Sequence, residues 1–290
     1  MAVAAPARKV TREEMSYAIH WLKENGFVPV YDDRLFAEHY IFAGDDDFRA
    51  AVLQEYLDDE DIEAIWLARG GYGSIRIIDK LDFTKFLQHP KWIIGFSDAT
   101  VFHGRIHGKL NKYGISSLHA SMPYCFENKT QEARQSLYDV LMGSSLCYEF
   151  PSHPLNRIGT VEAEVVGGNL SVLYSMMGSY TFPEVDGKIL FIEEVDEYIY
   201  HIDRMMRGLK RAGKLEKLKG LIVGGLTQIH DNPDPFGQTV EEVIADAVAD
   251  YDYPLCFGFP AGHFADNRAL VLGEEISVEI KEKKTSTRQF

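Results

Sequence analysis

Short apolar runs alternate with amphipathic stretches along the chain, regularly enough to predict its elements. Ala2–Pro6 ("AVAAP"), Phe27–Tyr31 ("FVPVY"), Ile62–Ala68 ("IEAIWLA"), Trp92–Phe96 ("WIIGF") and Gly114–Ala120 ("GISSLHA") read as strands, each an apolar run bounded by turn residues. Helical spacing covers Thr11–Gly26, Phe48–Leu57, Ile75–Lys80 and Ala99–Leu110 between them. In the first of these helices Thr11 and Glu14 have capping-box spacing, and Gly26 suits the C-terminal stop. Strands that alternate with helices of about 10–15 residues require crossover connections, and so imply a parallel, doubly wound sheet.

The second half repeats the mixture after a break. Pro151–Gly159 ("PSHPLNRIG") follows a helical segment and has the composition of a linker. Beyond it lie "TVEAEVVGGNLSVLYSMMG", the strand "KILFIEE", the helix "YIYHIDRMMRGLKRAG", the strand "GLIVGGL", a helix over Val240–Val248 and a last strand "ISVEI". The reading divides the chain into residues 1–149, a linker at 150–159, and residues 160–290. The closing "KEKKTSTRQF" is charged and polar, and is expected to fray.

Composition removes several function classes. With 46% hydrophobic and 26% charged residues over 290 positions, the chain has a globular rather than a disordered balance. A net charge of −14 argues against nucleic acid or an anionic membrane surface as the main partner. No apolar run reaches membrane-spanning length, and "MAVAAPARKV" lacks the pattern of a secretory signal. Cys125, Cys147 and Cys256 are odd in number, widely spaced and in no CxxC arrangement. They read as reduced thiols, which sets the expectation of a cytoplasmic protein.

Candidate chemistry gathers where strands end. In "WIIGFSDAT" Ser97 follows a buried strand and opens a helix, with Gly95 two residues before it and Ala99 two after. A nucleophile on a tight strand-to-helix turn needs small residues at those places. The competing reading is that Ser97 or Asp98 is an ordinary helix N-cap. "ARGGYGS" (Ala68–Ser74) places two adjacent glycines at a strand end, where backbone N–H groups can approach a substrate oxygen; a plain turn is the alternative. "ILFIEEVDE" ends a strand in Glu193 and Glu194, of which alternation sends one inward and one out to solvent. His263 sits in a Gly-containing loop, "PAGHFADN", and is a plausible general base. His103 and His107 have a metal-compatible i,i+4 spacing, but no H-E-x-x-H or acidic third ligand accompanies them, and surface helix positions are expected.

Taken together, "AGDDDFRAAVLQ", "ARGGYGSIRIIDKLD", "IIGFSDAT", "VVGGNLSVL", "ILFIEEVDEYIYHIDRMMRGL" and "FPAGHFADNRALVLG" resemble, in order, the motifs of the murein tetrapeptide LD-carboxypeptidases, a serine-peptidase family that includes the microcin-immunity peptidases. The resemblance implies an α/β fold: an N-terminal doubly wound, flavodoxin-like parallel sheet and a smaller C-terminal mixed β/α domain, with a cleft between them. It further implies Ser97 as nucleophile, Glu193 as triad acid, His263 as general base, and the amides of Gly71 and Asp98 as oxyanion donors. The implied reaction is hydrolysis of the L,D-amide bond to a terminal D-amino acid of a muropeptide, without metal or organic cofactor, by a homodimer. A peptidyl-nucleotide antibiotic is the alternative substrate on the same residues, and a non-catalytic muropeptide binder is the alternative from another class. The chain departs from the family at His119–Pro123, "HASMP", where the family often has His-Gly-Pro-Met. A carboxypeptidase must also recognise a free carboxylate, for which Arg69 and Arg204 are the candidates.

Overall fold

The computed structural model of the protein describes residues 1–289. Its strands are β1 (Ala2–Ala4), β2 (Ala64–Leu67), β3 (Trp92–Gly95), β4 (Ser117–His119), β5 (Leu146–Pro151), β6 (Gly159–Asn169), β7 (Ile189–Val195), β8 (Gly220–Thr227), β9 (Leu255–Phe257), β10 (Leu270–Leu272), β11 (Glu275–Ile280) and β12 (Lys284–Gln289). The α-helices are α1 (Arg12–Glu24), α2 (Asp46–Asp58), α3 (Ser74–Ile77), α4 (Thr84–Gln88), α5 (Thr100–His107), α6 (Gln131–Leu141), α7 (Leu170–Met176), α8 (Ile199–Arg211) and α9 (Val240–Ala247).

The first sheet has the order β1-β2-β3-β4-β10, with β1 to β4 parallel and β10 antiparallel to β4. Every residue of β1 and β2 is buried, as in a parallel sheet covered on both faces. The expected strand at Phe27–Tyr31 contracts to one parallel bridge, Val30 to Ala2. Counting that bridge, the order is the flavodoxin-like second-first-third-fourth-fifth. Helix α1 carries the capping box of Thr11 and Glu14 and has Asn25 as its C-cap, followed by Gly26 at φ 82°.

The second sheet has the order β5-β12-β11-β6-β7-β8-β9. Its β6 to β9 half is parallel, and its β5, β12 and β11 half is antiparallel. Three expectations change here. The closing segment does not fray: β12 pairs on both sides, with β11 and β5, through an alternating buried face of Thr285, Thr287 and Gln289. The sheets do not part at residue 149, because β5 joins the second sheet and β10 returns to the first. The exchange gives the second sheet seven strands against five. Nor is Pro151–Gly159 a loose tether, since the Arg157 backbone bonds Leu255 and its guanidinium caps the carbonyls of Val248, Tyr251 and Tyr253.

Helix α5 lies between the sheets and is buried at seven of its eight positions. A single apolar core therefore runs from Ile65 and Ile93 through Val101, Phe102 and Ile106 to Val166, Leu190 and Val223. The glycines of "VVGGN" allow this approach. A side chain on Gly167 would run into the Phe191 carbonyl, and one on Gly168 into the Thr100 hydroxyl. Instead the Asn169 N–H donates to Thr100 Oγ1 at 3.0 Å, fixing the end of β6 to the start of α5.

Candidate active site

Ser97 sits at the C-terminal end of β3, the edge at which doubly wound sheets bind ligands. Its φ is +62°, left-handed backbone that costs a side-chain-bearing residue about 1–2 kcal/mol. Such strain persists only where the surroundings over-determine it. The N-cap reading does not describe it: Phe96 holds the cap position, and neither the turn Ser97–Ala99 nor α5 has a side-chain cap. A Cβ on Gly95 would stand 3.0 Å from the Ala99 methyl, so a side chain at residue 95 would press on the turn. Asp98 points its side chain away, accepting from the Ser74 N–H at 2.8 Å. Burial pushes that carboxyl above the usual range, against the opposing pull of its Ser74 bonds.

The glycine turn faces this elbow. A Cβ on Gly70 would lie 3.2 Å from Ser97 Cβ and 3.3 Å from Oγ. Gly71 has φ 98°, its missing side chain leaves room for the Arg8 stem, and its N–H donates to no acceptor among the described residues. Arg49, almost fully buried, ties this turn to the loop after β1: it donates to the carbonyls of Gly44 (3.2 Å), Gly73 (3.1 Å) and Pro6, and pairs with Asp46.

Glu193 is fully buried on β7, and its Oε2 lies 2.6 Å from His263 Nδ1. A carboxylate accepts only, so Nδ1 donates and Nε2 is left with a lone pair. The imidazole packs on Phe96, the neighbour of Ser97, with centroids 4.8 Å apart. Its loop, between β9 and β10, is pinned where the Gly262 N–H reaches buried Asn267 Oδ1 (2.7 Å) and Lys129 Nζ reaches the Phe264 carbonyl (2.8 Å). The departing "HASMP" segment lies beneath, buried, with Ser121 Oγ donating to the Asn267 carbonyl.

Glu194 is not out in solvent as strand alternation predicts. It is also buried, because the β7–β8 register shifts between Ile192 and Glu194 and the start of α7 covers the remaining face. Its carboxylate accepts from Asn169 Nδ2 (2.9 Å), the Ser171 N–H (2.7 Å) and the Val195 N–H (2.9 Å). Burial raises it above the ordinary carboxylate range despite these donors.

Ser97, the glycine turn, Glu194 and His263 open onto one cleft of about 420 Å³. The first half of the chain lines it with Arg8, Arg69, Gly70, Gly71, Ser97 and Tyr124, and the second half with Asn169, Ser171, Glu194, Asp196, Gln228 and His263. An imidazole bonded to a buried carboxylate and a serine on a strained turn, lining one cleft, are groups that nucleophilic acyl transfer can use. A larger depression of about 830 Å³ lies at the opposite edge of the first sheet, around Phe27, Lys91, Trp92 and Tyr113, and contains none of these groups.

The expected carboxylate ligands fare differently. Arg69 lines the cleft but is engaged, with Glu14 at 3.1 Å and the Tyr124 ring at 5.0 Å. Arg204 is not brought there: it lies on the exposed side of α8, over the Tyr200 ring. His103 and His107 are not surface residues. Both are buried and share Ser117 Oγ at 2.8 Å, and His103 Nε2 also meets the Gly95 carbonyl at 2.9 Å. Arg8, Asn169 and Gln228 escaped the sequence reading. Arg8 and Gln228 each follow a strand at this same edge, which was the available signal.

Residues 1–120 match the LD-carboxypeptidase N-terminal domain, and residues 162–278 the LD-carboxypeptidase C-terminal domain. The "Probable murein peptide carboxypeptidase" of Bacillus subtilis (strain 168) is 31% identical, over 97% of this chain and 89% of its own length. The microcin C7 self-immunity protein MccF of Escherichia coli is 27% identical, over 99% of this chain and 92% of its own. Among solved structures, the muramoyltetrapeptide carboxypeptidase from Oxalobacter formigenes superposes with a TM-score of 0.88 at 26% identity, covering 100% of this chain and 99% of that one. Two domain matches that together span most of the sequence, and a relative aligned nearly end to end, place this chain in the LD-carboxypeptidase family.

Proposed function

We propose that this protein is a serine-type LD-carboxypeptidase that removes the terminal D-amino acid from murein tetrapeptides during peptidoglycan recycling in the cytoplasm. The observation that carries this reading is the buried Glu193–His263 pair, opening onto the cleft where Ser97 is held at φ +62°. In the proposed cycle His263 Nε2 takes the Ser97 proton as Oγ attacks the carbonyl that precedes the D-residue. Glu193 stabilises the imidazolium that forms, and the Gly71 and Asp98 amides hold the oxyanion. The imidazolium then protonates the leaving amine, and water, activated by the same imidazole, releases the acyl-enzyme.

The names of the relatives support a murein peptide as substrate, and solved complexes of MccF with aminoacyl sulfamoyl nucleosides keep a peptidyl-nucleotide as the second reading. Incubating the protein with a free-acid muropeptide tetrapeptide and following loss of D-alanine by mass spectrometry tests the first. Absence of release, with cleavage of an aminoacyl sulfamoyl nucleoside instead, would transfer the assignment to the second.

A further inference from the structure

Resting on the carboxypeptidase reading, we propose that Arg8 is the residue that binds the substrate's terminal carboxylate. Of the two cations on the cleft wall, Arg69 already has Glu14 at 3.1 Å, and it also donates to the Lys9 carbonyl. Arg8 is solvent-exposed and makes no hydrogen bond or ion pair with another side chain among the described residues. Its stem fills the space left by the missing side chain of Gly71, beside the proposed oxyanion donor. In a peptide, the carboxylate of the last residue lies within about 4 Å of the preceding carbonyl carbon. A carbonyl held at Gly71 therefore brings that carboxylate within reach of the Arg8 guanidinium, whose fork can take both oxygens.

The charge lining the cleft points the same way. The same cleft is lined by Glu194 and Asp196, the latter bonded to His230 Nε2 at 2.8 Å, and a substrate carboxylate beside them would meet repulsion. The leaving D-residue then lies on the Arg8 side, and the acyl portion runs past Glu194 and Gln228. The position of Arg8 is also built. Arg49 bonds the Pro6 carbonyl, and the Lys9 N–H bonds the Ile41 carbonyl, so the loop carrying Arg8 is fixed on both sides of it.

The test compares a tetrapeptide ending in free D-alanine with its C-terminal amide, on wild type, Arg8→Gln, Arg8→Lys and Arg69→Gln. Arg8→Gln is expected to lower kcat/KM for the free acid by roughly 10- to 100-fold while changing the amide by less than about threefold. Arg8→Lys should recover part of the acid preference, because it keeps the charge without the fork. Arg69→Gln should leave the preference standing. Should the preference survive Arg8→Gln, or should both substrates fall together, the assignment of Arg8 is overturned and the carboxypeptidase reading remains. A wild type without preference for the free acid overturns both.

Discussion

Replacing Glu193 by glutamine should cost this protein most of its turnover without unfolding it. The change is isosteric, and it removes one charge at a site with no solvent access, where Oε2 stands 2.6 Å from His263 Nδ1. With charge centres about 4 Å apart and an effective dielectric near 20, the attraction between carboxylate and imidazolium is about 4 kcal/mol. That attraction exists only once His263 has taken the proton, so nearly all of it falls on the barrier, about 10³-fold in kcat. A glutamine can also donate to Nδ1, which selects the wrong tautomer and moves the loss toward 10⁴-fold. Since Glu193 does not line the cleft, KM should stay within a few-fold. Steady-state kinetics of D-alanine release measures both constants. Glu194→Gln is the control: its carboxylate accepts three hydrogen bonds, so the variant should lose about 1–3 kcal/mol of stability in urea unfolding but less than tenfold in kcat. If Glu193→Gln kept more than a tenth of wild-type kcat, or Glu194→Gln proved the more damaging, the assignment of the triad acid would be wrong.

The left-handed turn at Ser97 predicts a trade between activity and stability. Ser97→Ala and Ser97→Gly should both lose activity by on the order of 10⁶, with the glycine variant more stable than the alanine variant by about 1 kcal/mol in urea; equal stabilities would mean that no strain is held there. His103 predicts acid sensitivity. Burial lowers its imidazole from 6.5 to about 4, so the unfolded chain takes up the proton first as pH falls. The neutral ring's contribution is thus complete above about 6.5 and is lost toward about 4, on the order of 2 kcal/mol between pH 7 and 4.5. Wild type should lose that much more over the interval than His103→Asn, and parallel profiles would refute it. Gly167→Ala should destabilise by on the order of 3 kcal/mol in the same assay, because its methyl would collide with the Phe191 carbonyl inside the β6–β7 ladder; a neutral result would mean that the ladder can yield.

What could be read from the sequence was local. Gly95 and Ala99 around Ser97, the Thr11–Glu14 cap and the glycine turn depend on near neighbours, and their spacing carries the geometry. What could not be read depended on distant partners. The burial of Glu194 follows from a register shift against β8 that no periodicity in "ILFIEEV" announces. His103 and His107 looked exposed because a helix beside one sheet has a wet face, whereas α5 has a sheet or helix on every side. Three-residue β10, "LVL", does not reveal which sheet it will join, and β12 is polar in composition yet paired on both edges. Arg204 missed the cleft through the rotational phase of α8, which spends Ile202, Met205, Met206 and Leu209 on the core.

The loop that carries His263 leaves the second sheet at β9 and enters the first at β10. Ser97 and the His263 imidazole are thereby spaced by the body of the molecule, since the peptide that presents one is woven into the sheet that presents the other. Clamshell opening, the usual freedom of a cleft between two lobes, would have to strip β10 from β4. A groove whose two sides share strands in this way is expected to select mainly by shape at the moment of entry. On heating, activity should vanish with the global unfolding transition and not before it, because the crossing strands β5 and β10 tie the two lobes together.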